Sequence, residues 1–529
     1  MPSAVRRAAA RRTPAELPIA LDRGAEAPLP VQLAAALRDA IDRGALRPGE
    51  ALPATRGLAA RLGVARGVAV AAYEQLIAEG YLLAGHGRGT VVHPELGAVR
   101  GAVRGGGTRA AQAPIAGRAD PPSAVPTAAR PGPLTVGVPD TSAVDTPAWR
   151  AAWRRAAARA HLEAPELGDP RLREEIAEHL RRMRGTQRPA ADVIVTAGAR
   201  DGLDLLLAAL AGGRGRALAV GVEDPGYPSL RRVAARHSAE IVALPADAEG
   251  LDARALPERG LDAVIVTPSH QYPLGGSLPL GRRRELLAWA ARTGAVIVED
   301  DYDSELRHTG SPLPALAALD DPIGGSVALL GTFSKTVSPA LSAGYLLAPA
   351  GLRAVIEPVR HELGGPVSAV VQAALAEYLA SGELRRHTAR MRRRYAARRE
   401  LVVERLGGIA GVRVRPMSGG LHAVLEFAGD PGEGDPERGG AAEIEARICG
   451  LAADRRLGAV PLSAYWQRRA GAEAAGPASA VGASGVGSRS DATAGRFGLV
   501  IGTGGPDALR FDRALRELRA LLSAEFGAE

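Results

Sequence analysis

The sequence predicts a multidomain chain, an N-terminal winged helix-turn-helix followed by a large α/β domain, and three observations support this. Leu29 to Val92 alternates short amphipathic stretches with Gly and Pro punctuation and closes on two β-prone tripeptides around a Gly-rich tip. Further on, the apolar runs Ala295–Val298 and Ser326–Leu330 lead into polar and acidic residues, as buried parallel strands do where they reach a ligand face. Finally, the 529 residues contain 66 basic residues of which one, Lys335, is a lysine.

The N-terminal elements follow in order. Leu33, Leu37 and Ile41 share one helical face, and Pro48–Gly49 ends that unit. Thr55 is expected to cap a second helix, Arg56–Leu62, with Gly63 making the turn and a third helix running from about Arg66 to Glu79. Tyr81–Leu83 and Thr90–Val92 read as strands flanking Gly85–Gly89. The second helix of such a motif enters the major groove with its first residues toward the bases, which nominates Arg66; Thr55, Arg56 and Arg88 are the further candidates for DNA contact. Charge agrees: residues 1–133 hold 17 Arg against 10 Asp and Glu, so almost all of the net +8 lies on this half, as binding to phosphates favours.

His93 to about Pro133 is rich in Gly, Ala, Pro and Arg and reads as a linker, which sets expected boundaries of 19–93, 94–133 and 134–525. In the large domain, GAVIVEDDYDSEL over Gly294–Leu306 delivers Asp300 and Tyr302 past the end of a strand. Such an acidic run alone reads as a solvated face; the lysine downstream changes that. GTFSK is expected to put Thr332, Ser334 and Lys335 at the end of the next strand. Arg stays protonated, whereas Lys can lose its proton and attack a carbonyl to form a Schiff base, so a lone Lys in an Arg-rich chain points to covalent chemistry. An aldehyde for Lys335, a basic ring nitrogen for Asp300 and a phosphate for the hydroxyls are all carried by pyridoxal 5'-phosphate (PLP). Val193–Leu207 reads as strand, Gly turn and helix, which offers Gly198, Ala199 and Arg200 to the phosphate.

Four motifs in order, VEDPGYP (Val222–Pro228), VTPSHQYPLG (Val266–Gly275), EDDYDSE (Glu299–Glu305) and GTFSKTVSPA (Gly331–Ala340), resemble the aminotransferase-like domain of MocR/GabR-type transcription regulators, a branch of the GntR regulators. LRPGEALPATR, LAARLGVAR, AYEQLIAEGYL and GRGT resemble the GntR-type DNA-binding domain. The resemblance implies a PLP-dependent transferase fold of type I, with Lys335 as the Schiff-base lysine, Asp300 on the pyridine nitrogen, Tyr302 on the ring hydroxyl and Tyr227 stacked on the ring. It also implies double-stranded DNA and an amino-compound effector as ligands, aldimine exchange at Lys335 as the sensing step, and a head-to-tail homodimer. A working aminotransferase with a fused DNA-binding domain is the alternative.

The chain departs from the family pattern in places. Ser342 stands where a phosphate-gripping Arg is usual, and Arg200, at a position commonly Gln, is expected to restore that cation. Ser229 stands where one relative uses an Arg, which leaves Arg496 as the effector-binding candidate. Ala65, Gly67 and Val68 replace the usual Ser, Asn and Thr at the recognition helix, so a cap and several DNA-contacting groups are missing.

Hydrophobic residues make up 46% of the chain, enough for more than one core. One cysteine, Cys449, excludes an intramolecular disulfide, and His270 has no second His or Cys at ligand spacing, so no metal is expected. No apolar stretch is long enough to cross a bilayer and the Arg/Ala-rich start lacks a signal core, which leads to the expectation of a cytoplasmic protein. A small lobe is expected from about 385, with an insertion near 468–495.

Overall fold

The computed structural model describes residues 19–24, 28–85, 89–94, 132–159, 165–212, 215–307, 313–428, 440–467, 497–505 and 507–527. Arg88, Arg496, most of the linker and the expected insertion lie outside the described residues. Two compact units are present: one groups the described residues up to 94 with Pro279–Arg284, and the other holds the rest of the described chain.

The first unit contains α1 (Leu29–Asp42), α2 (Thr55–Leu62), α3 (Arg66–Ala78) and the antiparallel pair β1 (Leu82–Gly85) and β2 (Gly89–Val92). Leu33, Leu37, Leu58, Leu76 and Leu82 are almost fully buried, so each helix turns its apolar stripe inward. Arg38 grips Glu79 through Nε at 3.0 Å and Nη2 at 2.7 Å, pinning α1 to the end of α3. The left-handed Gly63 (φ 62°) ends α2 and aims α3. Thr55 proves to be the first helical residue, not the cap: Ala54 takes the extended conformation that precedes the helix, and its methyl group cannot accept a hydrogen bond. The start of α3 is likewise uncapped at Ala65, as its side chain requires.

The second unit opens with α4 (Pro147–Ala157), α5 (Pro170–Arg184), β3 (Val193–Thr196), α6 (Ala199–Ala211), β4 (Ala219–Asp224) and α7 (Pro228–Arg236). It continues through β5 (Glu240–Asp247), β6 (Gly250–Leu251), β7 (Ala263–Val266), α8 (Leu280–Thr293), β8 (Val296–Asp301), β9 (Val327–Thr332) and α9 (Phe333–Thr336). Next come β10 (Gly344–Leu347), α10 (Ala350–Leu363), α11 (Ala369–Ala380) and the long α12 (Glu383–Leu406). The small lobe comprises β11 (Val412–Val414), β12 (His422–Phe427), α13 (Ala441–Asp454), β13 (Val460–Pro461), β14 (Gly498–Gly502) and α14 (Ala508–Phe526).

The large sheet has the order β3-β10-β9-β8-β7-β4-β5-β6, with β5, β4, β7, β8 and β9 parallel and β10 antiparallel to both neighbours. Alternation along the strands divides the core. Val195, Val264, Ile297 and Leu329 pack with Leu172, Ile176 and Leu180 of α5 on one face. Ile194, Val220, Val298 and Leu330 pack with Leu203 and Leu206 of α6 on the other. Continuous apolar runs are the mark of strands covered on both faces. Asp169 caps α5 by accepting from Leu172 N, and Pro170 presets its first turn. The small lobe is a separate antiparallel sheet, β11-β12-β14-β13, whose Leu425, Leu499 and Ile501 meet Phe511 and Leu518 of α14.

This architecture brings the carboxyl ends of β8 and β9 side by side, with Asp300 opposite Leu330 in the parallel register. The expected strand position for Ser334 and Lys335 is corrected: β9 ends at Thr332 and both residues lie in the one-turn α9. Thr332 makes that turn, its hydroxyl accepting from Ser334 N at 3.1 Å.

Candidate cofactor site

Lys335 projects from α9 into an open cavity of about 450 Å³ whose walls include Tyr227, Tyr272, Tyr302, Asp303 and His422. Its amine donates to the carbonyl of Gly137 at 2.6 Å. Burial holds the amine below the ordinary lysine range; Asp303 and Asp300 oppose that shift and Arg200 adds to it. The result is a primary amine easier to deprotonate, and hence more nucleophilic, than a surface lysine.

Asp300 is buried and forms no hydrogen bond among the described residues, its Oδ1 being fully enclosed. Burial, then the neighbouring Asp301 and Asp303, push its carboxyl up to about 8. The other acids of the run have partners. Arg184 lies 2.8 Å from Asp301 and 3.9 Å from Glu299, His179 lies 2.7 Å from Glu305, and His270 Nδ1 lies 3.0 Å from Asp303. Asp300 is thus the member of the cluster still in want of a cation.

Tyr302 donates its hydroxyl to the carbonyl of His270 at 3.0 Å, and that oxygen also stands 3.0 Å from His270 Nδ1. His270 is therefore a hydrogen-bonded pocket residue. Beside it His422 is fully enclosed and lowered to about 4, first by burial and then by His270, so it stays neutral at physiological pH. Tyr227 retains 37% exposure and meets Tyr272 edge-on with centroids 5.2 Å apart. It lines the Lys335 cavity and also a smaller one of about 260 Å³ that contains Asp300, Thr267 and Arg231.

On β3, two strands from β9, the chain turns through Gly198 (φ 105°) into α6. A Cβ on Gly198 would stand 3.6 Å from the Thr332 hydroxyl, so Thr332 faces the helix start. The first-turn amides of α6, among them Ala199 and Arg200, have no acceptor within the helix. Arg200 is exposed there. Ser342 is exposed in the left-handed conformation (φ 44°), and its side chain forms no hydrogen bond among the described residues. Ser229 is buried and hydrogen-bonded to Tyr227.

The fold therefore gathers Lys335, Asp300, Tyr302, Tyr227, Thr332, Ser334, Gly198, Ala199 and Arg200 in one unit, around the ends of β3, β4, β8 and β9. Thr55, Arg56 and Arg66 lie in the other unit, with Arg56 and Arg66 exposed. Sequence reasoning missed Gly137, His422 and Tyr272. Gly137 carried a signal in the GVPD turn just after the linker; His422 carried none. Among the described residues no cluster of His, Cys, Asp and Glu could hold a metal, and no helix is long and apolar enough to cross a membrane.

The residues fit PLP: an unpaired buried carboxylate suits a pyridinium nitrogen, and a buried amine suits an aldehyde. The uncapped helix start beside Thr332 suits a phosphate.

Residues 133–433 match the family model of aminotransferase class I and II, and residues 29–92 match that of bacterial regulatory proteins, gntR family. The HTH-type pyridoxine biosynthesis transcriptional regulator PdxR of Corynebacterium glutamicum is 46% identical over 411 residues, covering 78% of this chain and 86% of that protein. The probable rhizopine catabolism regulatory protein MocR of Rhizobium meliloti is 35% identical over 406 residues, covering 73% and 78%. Among solved structures, an archaeal alanine:glyoxylate aminotransferase superposes with a TM-score of 0.61 at 18% identity, covering 74% of this chain and 91% of that one. Kynurenine aminotransferase of Pyrococcus horikoshii, in complex with PMP, gives 0.60 at 21% identity, covering 75% and 91%. At such identities the likeness establishes the fold, which is that of the type I transferases.

Proposed function

The chain belongs to the MocR-type GntR transcription regulators, which fuse a helix-turn-helix domain to an aminotransferase-like domain, and on that premise we propose that it holds PLP at Lys335 and responds to an amino compound. The observation that supports this most is the pairing of a buried, depressed amine with a bare buried carboxylate at the ends of adjacent parallel strands. Bound there, PLP supplies an aldehyde that condenses reversibly with primary amines.

Each residue then has a task. Lys335 supplies the resident amine that an effector amine must displace. Asp300 holds the proton at the pyridine nitrogen, and a cation there would return its own carboxyl toward the ordinary range. Tyr302, fixed by His270, faces the ring hydroxyl, while Tyr227 covers the ring. The α6 amides with Thr332 and Ser334 take the phosphate, and Arg200 supplies the cation that Ser342 does not. Arg200→Ala should weaken PLP binding about tenfold while leaving the phosphate-free pyridoxal unaffected; equal loss for both would remove Arg200 from the phosphate site.

In the first unit α3 enters the major groove with Arg66 toward the bases, and Thr55, Arg56 and Arg88 meet the backbone or groove. A head-to-tail homodimer presents two such units, and effector binding shifts DNA affinity by as much as it discriminates between the two arrangements. Fluorescence anisotropy on the DNA upstream of the gene, with PLP and a panel of amines, tests this. The expected result is an affinity that changes with PLP plus one amine class and not in Lys335→Ala; identical curves for both proteins would end the proposal.

A second reading follows from the relative named for pyridoxine biosynthesis. Among the described residues, Lys335 is the one Lys or Arg in the lining of the cavity, which favours a signal that needs no second cation. On this reading PLP itself is the signal, and PLP without any amine changes DNA binding. Steady amino transfer to a keto acid would instead mark a working aminotransferase.

A further inference from the structure

We propose that residues 132–140 form a strap that reads the chemical state of Lys335, held while the amine is free and let go once it is condensed. The proposal rests on the reading of Lys335 as the PLP lysine.

The strap is fastened at both ends. At its start, Leu134 N donates to Leu457 O at 2.8 Å and Gly502 N of β14 donates to Leu134 O at 2.7 Å. A Cβ on Gly502 would stand 1.9 Å from Thr135 O, and one on Gly504 1.8 Å from Val138 O, so backbone lies directly on backbone along this edge. At its end, buried Asp140 donates its N–H to the Tyr395 hydroxyl at 2.9 Å, and its carboxylate meets Arg394 and, at 3.5 Å, Arg398 of α12. Between these anchors, residues 136–138 receive one hydrogen bond among the described residues, from Lys335 Nζ to Gly137 O. Gly137 sits at φ 75°, and a Cβ there would lie 2.8 Å from Nζ, so the amine packs where only glycine leaves room.

This contact depends on the amine having a hydrogen to give. Condensation with an aldehyde forms one C=N bond and expels water, which leaves the nitrogen with at most one hydrogen and draws it toward the ring. Gly137 O then loses its donor, and a partly buried carbonyl left unpaired drives the middle of the strap to shift or to take up water. Gly132 is also the point where the chain arrives from residues 95–131, the segment that joins the two units in sequence. The lysine that chemistry modifies therefore holds the middle of the segment that directly follows the interdomain connection in sequence.

Hydrogen exchange on the full chain tests this, read by mass spectrometry at the amides of Leu134, Thr135 and Asp140. Samples contain no ligand, PLP, or 4'-deoxypyridoxine 5'-phosphate, whose methyl group replaces the aldehyde, and the chromophore of the condensed lysine is recorded on each. PLP should speed exchange about twofold to tenfold over the analogue, the worth of one hydrogen bond. Lys335→Met without ligand should exchange as fast as the PLP-loaded protein. If the chromophore forms and exchange matches the analogue's, the strap proposal fails while the PLP reading stands. If no chromophore forms, both fail, and a Lys335→Met strap that exchanges as slowly as the ligand-free protein also overturns the proposal.

Discussion

In the Lys335 pocket, the side chains at the centre of the chemistry are shaped by their neighbours: Arg184 and His179 occupy the surrounding acids, His270 fixes Tyr302, and Asp300 is left buried without a hydrogen bond. At the start of α3, Ala65, Arg66 and Gly67 are exposed, the helix is uncapped, and a Cβ on Gly67 would meet nothing. One region stores its function as unsatisfied buried polarity, which the fold maintains at a cost and only a ligand relieves. The other stores it as exposed charge, which the fold tolerates without demanding. A buried site thus declares its ligand in the unbound protein, whereas a DNA-reading helix declares little until it meets DNA.

The largest effect should come from Lys335→Ala, which removes the single side-chain amine: retention of PLP through gel filtration should fall to nothing while DNA affinity without ligand stays within about twofold. Loss of both together would mean that the Lys335 side chain supports the DNA-binding unit even without a ligand. Asp300→Asn should come next, weakening PLP about tenfold to hundredfold through loss of a charge-assisted hydrogen bond, measured by absorbance titration.

The same variant sharpens the claim about buried polarity through pH. The Asp300 carboxyl titrates near 8 in the folded protein against 3.8 ordinarily, so between those values the folded state keeps a proton that the unfolded chain has lost. Its contribution to stability is present below about pH 4 and is lost as pH rises toward 8. Thermal unfolding of the ligand-free proteins should show Asp300→Asn gaining on wild type between pH 5 and 8; a constant difference would mean the carboxyl is not strained.

On the DNA side the effects are smaller. Arg66→Ala should weaken specific binding roughly tenfold and reduce the slope of log affinity against log salt by no more than about 1, with no change in PLP binding. Smallest is Ala65→Ser, which should return a cap and stabilise α3 by about 0.5–2 kcal/mol, seen as slower exchange of its first-turn amides.

Much of this was legible in the sequence because the relevant signals are local. The order of helices and strands in the first unit follows from apolar spacing and Gly or Pro punctuation, and β8 and β9 follow from unbroken Val, Ile and Leu runs. Boundaries slipped where a cap was judged from one residue: Thr55 had the right side chain, but Ala54 has the extended backbone. Lys335 fell in a one-turn helix because the Thr332 hydroxyl turns the chain immediately after β9. His422 was illegible for a different reason: it reaches the pocket from a segment far away in sequence, and only the packing of β12 against the large sheet unites it with Gly137, in the GVPD turn, and Tyr272, in a motif already singled out. The pairing of Asp303 with His270 is likewise a tertiary event, although both residues stood within motifs already singled out.

The most direct measurement is borohydride reduction of the PLP-treated full chain followed by peptide mapping, since the chain terminus is the one other primary amine competing with Lys335. The account expects one phosphopyridoxyl group, carried by the peptide containing Lys335 and absent from Lys335→Ala. A label elsewhere, or none at all, would contradict it.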